Sequence, residues 1–70
     1  MEEIKVSIET DYIKLESLLK YAAVCSSGGE AKMFIQNDEV LVNGEICTQR
    51  GKKIRSGDRV EIFGKTIIIE

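Results

Sequence analysis

The sequence has no proline, no tryptophan and no histidine, and only two cysteines, Cys25 and Cys47, among its 70 residues. Without histidine there is no imidazole to activate a serine or cysteine nucleophile or to complete a mixed zinc site, and the cysteines do not stand in a CxxC spacing. Both are expected to be reduced thiols with packing roles; a redox pair would require the two sulfurs to lie within reach of each other. Cys25, beside Ser26 at the start of a predicted helix, is the thiol whose pKa a helix N-terminus would lower. The glycines of "SGG" precede a helix, but the lysine and hydroxyl that a Walker loop places after them are missing, which argues against nucleotide hydrolysis. No nucleophile with a base, metal constellation or pair of carboxylates is visible, so the sequence predicts a protein that is not an enzyme, with no cofactor, no metal and no small-molecule substrate. No apolar run approaches the roughly 20 residues of a membrane span, and the acidic start "MEEIKVSIE" is unlike the basic opening of a signal peptide. The expectation is a cytoplasmic protein with no membrane partner.

What is present is the composition of a folded globule, 43% hydrophobic and 31% charged, in a length that fits one small domain over residues 1–70. A core of that size supplies only roughly 3–5 kcal/mol beyond the entropy cost of folding. The net charge of −2 conceals a division along the chain. Residues 1–49 hold four lysines against nine acidic residues, a balance of −5, whereas residues 50–70 hold six basic residues against three acids, a balance of +3. Charge sorted in this way suits a local binding surface.

Apolar residues at Ile4, Val6 and Ile8 alternate with polar ones and predict a strand over 4–8. Leu15, Leu18, Leu19, Ala22 and Ala23 recur at helical spacing and predict a first helix over 14–24. "SGGE" at 27–30 fits a capping box, Ser27 accepting from the third helical amide and Glu30 returning to the cap amide, and opens a second helix that carries Ala31, Phe34 and Ile35 inward and runs out near Asn37 and Asp38. Asn43-Gly44 predicts a type I′ hairpin pairing Val42 with Glu45, Leu41 with Ile46 and Val40 with Cys47. Leu41 and Ile46 fall on the face opposite Val40, with nothing in the sequence to cover them. "SGD" at 56–58 is a turn, Val60 and Ile62 belong to a strand, Gly64-Lys65 suits a type II′ turn, and "TIIIE" at 66–70 is an apolar strand suited to burial.

Arg50, Lys52, Lys53 and Arg55 crowd the segment between the hairpin and that turn. In extended backbone Lys53 and Arg55 face one way, Ile54 and Lys52 the other, and Gly51 can introduce the irregularity that would bring them together. Lys32 projects to the side of the second helix and would join them if the loop packs beside it. The amides of Gly28 and Gly29 are left free by the capping box and suit a phosphate oxygen; equally, the glycines only shape the turn, and the Glu30 carboxylate opposes an anion.

The blocks "IKLESLLK", "SGGEAKMFI", "VLVNGE" and "KKIRSGDRVEI", in this order and spacing over residues 13–62, resemble the S4 RNA-binding domain family, with the likeness greatest to its small stand-alone bacterial members of the YaaA type. The resemblance implies an α+β fold, an αL-type RNA-binding motif of two helices packed on a small, mainly antiparallel sheet, with strands 4–8 and 66–70 flanking the core. It also implies a non-catalytic RNA-binding module for structured RNA, ribosomal RNA or ribosome particles above all, acting as a monomer. Carried over by position, the RNA-binding residues are Lys14, Ser27, Gly28, Gly29, Lys32, Arg50, Lys52, Lys53 and Arg55. Many members place an arginine directly after the serine that opens the second helix; Gly28 stands there in this chain, which shifts the contact to Lys32 and the loop. Phosphate contacts would then read RNA shape, since Tyr12, Tyr21, Phe34 and Phe63 are all expected in or near the core instead of forming a stacking platform. The alternative is a protein-interaction module docking an acidic partner through the same basic loop, helped by Leu41 and Ile46.

Overall fold

The computed structural model describes residues 2–70. The elements run β1 (Glu2–Val6), β2 (Ile13–Lys14), α1 (Leu15–Tyr21), α2 (Gly28–Gln36), β3 (Val40–Val42), β4 (Glu45–Ile46), β5 (Lys53–Ile54), β6 (Arg59–Ile62) and β7 (Lys65–Ile69). Five strands form one sheet in the order β1-β7-β6-β3-β4, and β2 pairs with β5 in a separate two-stranded ladder. Among the described residues β1 with β7 is the parallel pairing and the rest are antiparallel. Two helices on a mainly antiparallel sheet is the architecture the sequence predicts. Ile67 and Ile69 of β7 are buried in the core cluster, and β1, the edge strand beside β7, adds Val6 to it.

The core joins the helices to the sheet. Leu15, Leu18 and Leu19 of α1, Ala31 and Ile35 of α2, and Val40, Val60, Ile62 and Ile67 of the sheet are all at most 2% exposed. Ile54 of β5 belongs to the same cluster. Burial of this kind is the dominant favourable contribution to a domain this small.

Local differences from the sequence reading have physical causes. The first helix ends sooner than its apolar spacing suggests. Ala22 caps it, Ala23 takes a left-handed φ of 61°, and the Ala23 and Val24 amides turn back to Lys20 O and Leu19 O. This is a Schellman closure, built on alanine where glycine is the usual residue, so Ala23 is exposed and contributes nothing to the apolar stripe. Left-handed backbone costs a residue with a Cβ about 1–2 kcal/mol, part of which glycine's extra chain entropy offsets. Ala23→Gly is therefore expected to stabilise the fold by up to about 1 kcal/mol and to raise the thermal midpoint by several degrees, since about 1 kcal/mol moves a domain of this size by roughly 4–8 °C. A lowered midpoint in a melting curve would contradict it.

The last turn differs as well. Its central residues are Phe63 and Gly64, at φ 51° and 74°, with Ile62 paired to Lys65, so the turn is of the primed type with two left-handed positions and not Gly64-Lys65. Phe63 is a bulky residue in a conformation that suits asparagine or glycine. Its ring packs edge-on against Phe34 of α2, centroids 4.8 Å apart, a contact worth about 0.5–1.5 kcal/mol that offsets the strain. Leu41, expected on an open face, is half-buried in β3 between β4 and β6, and Ile46 on the edge strand β4 is the exposed member of that pair at 59%.

Candidate nucleic-acid interface

The first amides of a helix have no acceptor within it, and in α1 the basic loop supplies them. Leu15 N–H donates to Lys52 O at 2.9 Å and Glu16 N–H to Arg50 O at 3.2 Å, while Lys14, the N-cap residue, offers no side-chain cap. The loop is closed on itself by Lys52 N–H donating to Gln49 O. One residue further, Ile54 pairs with Ile13 and Lys53 with Lys14, and the Ile54 side chain is fully buried. Helix capping, a two-residue ladder and one buried isoleucine thus bring Lys14, Arg50, Lys52 and Lys53 together on exposed backbone.

Like charges directly opposite across a strand pair are destabilising. Lys14 and Lys53 are such a pair. No acid compensates: among the described residues the ion pair present is Arg59 with Glu61, at 3.8 Å. Lys53 has an aromatic partner instead, its Nζ lying 4.9 Å from the centre of the Tyr12 ring. A cation over an exposed ring gains about 0.5–1 kcal/mol, which steadies the ammonium without neutralising it. Tyr12 is 36% exposed, Tyr21 67% and Phe63 53%, so the expectation that these aromatics fill the core does not hold; only Phe34 among the four is partly buried against it.

At the other end of α1 a second group forms. Ser27 Oγ accepts from Glu30 N–H at 3.2 Å, as a capping box requires, but the Glu30 carboxylate reaches back to Ser26, whose amide and hydroxyl both donate to it at 3.2 Å. The loop entering α2 turns the Ser26 amide toward the helix, so the return contact falls one residue earlier than expected. Gly28 and Gly29 amides have no partner among the described residues. Lys20 Nζ lies 3.8 Å from where a Cβ on Gly28 would stand, which places a cation beside the glycine turn that sequence reasoning missed. The short connection between the helices was the available signal: it must return the end of α1 to the start of α2. Lys32 is exposed on α2, with no ion pair or hydrogen bond tying it to the basic loop among the described residues. The seven residues of α1 separate the two groups by roughly 10 Å at about 1.5 Å per residue.

Arg55 lies past the ladder. Its amide donates to Asp58 Oδ2 at 2.8 Å and Asp58 N–H returns to Arg55 O, the turn predicted at "SGD". Asn43 fastens that turn to the hairpin: its Oδ1 accepts from Arg59 N–H at 2.9 Å and its Nδ2 donates to Asp58 Oδ1 at 3.2 Å. Asn43 and Gly44 take the left-handed φ values of a type I′ turn, 53° and 86°.

The thiols are free, Cys25 buried and Cys47 half-buried. Burial, and secondarily the Glu30 carboxylate, push the Cys25 thiol up from its ordinary range, the opposite of what proximity to a helix start predicts. A raised thiol pKa favours the folded state at neutral pH relative to strongly alkaline pH, and that contribution is lost as pH climbs through the raised value. Mass spectrometry after mild alkylation should find Cys47 modified before Cys25; the reverse order would contradict the burial of Cys25.

Fold and surface together define a small domain of two helices on a mixed sheet, with exposed cations that have no acidic partners among the described residues gathered where a loop caps a helix. The S4 domain family model matches residues 6–70, and the chain belongs to that family. The probable ribosome maturation protein RlbA of Bacillus subtilis (strain 168) is 51% identical over 59 residues, 84% of this chain and 83% of that protein. The solution structure of YbcJ from E. coli, described as revealing an alfaL motif involved in RNA binding, superposes with a TM-score of 0.69 at 28% identity, covering 99% of this chain and 86% of that one. Among the described residues no helix is long and apolar enough to cross a membrane.

Proposed function

We propose that this protein is a non-catalytic RNA-binding module, one S4 domain over residues 1–70, that holds structured RNA by phosphate contacts from two groups of cations at the two ends of α1. The observation that carries the reading is the Lys14–Lys53 pair: two cations face each other across a ladder with no acid among the described residues to neutralise them, an arrangement that a polyanion relieves. In the first group Lys14, Arg50, Lys52 and Lys53 contact phosphates. In the second, the Gly28 and Gly29 amides and the Ser27 end of α2 receive a phosphate oxygen beside Lys20, with Lys32 one turn further on and Arg55 at the margin of the first group. The names of the relatives, one a probable ribosome maturation protein and one with an RNA-binding motif, support ribosomal RNA or a ribosomal particle in the cytoplasm as the partner.

If about four cations displace counterions from RNA, the logarithm of the binding constant falls with the logarithm of salt at a slope of roughly −3 to −4. Filter binding of a structured RNA over a salt series measures it directly. A flat series would refute the reading.

A further inference from the structure

Between the Asn43–Gly44 turn and the basic loop lies a groove of about 430 Å³, within the range of small-ligand sites. Val42, Ile46 and Cys47 supply its apolar lining, and Glu45, Thr48 and Gln49 supply polar groups that have no side-chain hydrogen-bond partner among the described residues. Lys52 lines it too and belongs at the same time to the cation group. The Ile46 side chain is 59% exposed on the edge strand.

We infer that this groove receives one unpaired nucleobase of the bound RNA, whose phosphate is held by Lys52, and that Glu45 selects a base carrying an exocyclic amine. The inference rests on the RNA-binding reading above and adds base selection to it. Phosphate itself is a poor occupant, because the Glu45 carboxylate repels it. A flat neutral ring with polar edges fits the mixture of lining groups: apolar contact for its face, an amide and a hydroxyl for its edge, and a cation where the backbone passes. Unpaired bases are the part of RNA that side chains can read, since the grooves of the duplex hide the paired ones. A carboxylate only accepts hydrogen bonds, so adenine, cytosine and guanine satisfy it through an exocyclic amino group, whereas uracil offers only its N3–H, flanked on both sides by carbonyl oxygens that repel the carboxylate.

The test uses RNA hairpins of identical stem, each closed by a loop made wholly of one base, titrated against the full chain and against Glu45→Gln. The parent should bind the adenine, cytosine and guanine loops about tenfold more tightly than the uracil loop, the size of one good base contact. In Glu45→Gln, whose amide both donates and accepts, that preference should largely vanish while the stem contribution persists. Equal binding of all four loops by the parent overturns base selection and leaves phosphate binding standing; such a result would free this edge for a peptide strand. A preference that survives in Glu45→Gln overturns the role of Glu45. Failure to bind any hairpin overturns the RNA-binding reading itself, and this inference with it.

Discussion

Replacing Lys14, Lys52 and Lys53 together by alanine is expected to weaken binding of structured RNA by on the order of a hundredfold at physiological salt, each lost charged contact costing about 1 kcal/mol or more. The three lie on two short strands and the loop that caps α1, and they are exposed without acidic partners among the described residues. Their removal relieves the Lys14–Lys53 repulsion and forfeits the contact of Lys53 with Tyr12, so stability should stay near that of the parent. The salt slope should shrink by about the number of contacts removed. Affinity by filter binding, with a melting curve on the same preparation, separates the two effects. Parent-like affinity in a folded triple variant would remove this group from the interface.

The second large effect concerns the residue that holds the loop in place. Ile54 is fully buried between exposed Lys53 and Arg55, and Ile54→Ala should cost about 2–5 kcal/mol. The whole margin of a domain this size is roughly 3–5 kcal/mol, so much of the variant should be unfolded at room temperature. Urea denaturation measures the loss. A loss below about 1 kcal/mol would show that β5 is not anchored in the core. Ile54→Val, expected to cost about 0.5–1.5 kcal/mol, keeps the chain folded and should leave RNA affinity close to the parent's, because the backbone that caps α1 is unchanged.

These two predictions also mark what a reader of the sequence can and cannot see. The Asn43–Gly44 hairpin and the Ser27 cap were legible because the chemistry that fixes them is local, confined to neighbouring residues. Lys14 against Lys53 was not: β2 and β5 hold two residues each, too few for any periodic pattern, and they meet across most of the chain. The end of α1 at Ala23 and the turn at Phe63 were illegible for a different reason. Each places an unfavoured residue in left-handed backbone, and at Phe63 the contact with Phe34 overrules the local preference. Lys20 and Tyr12, absent from the residues chosen by sequence, come beside the candidate residues through proximity alone, Lys20 at the glycine turn and Tyr12 beneath Lys53. Family likeness pointed to two helices on a mainly antiparallel sheet, while the contact of Lys53 with Tyr12 came from the fold.

The most direct measurement of the central claim is a titration of isotope-labelled protein with a structured RNA, followed by backbone amide shifts. The amides of Lys14, Arg50, Lys52 and Lys53 should move first and furthest, with those of Gly28 and Gly29 moving in the same titration and those of β1 staying still. Shifts confined to β1 and the Phe63–Gly64 turn, with the loop that caps α1 unmoved, would contradict the account.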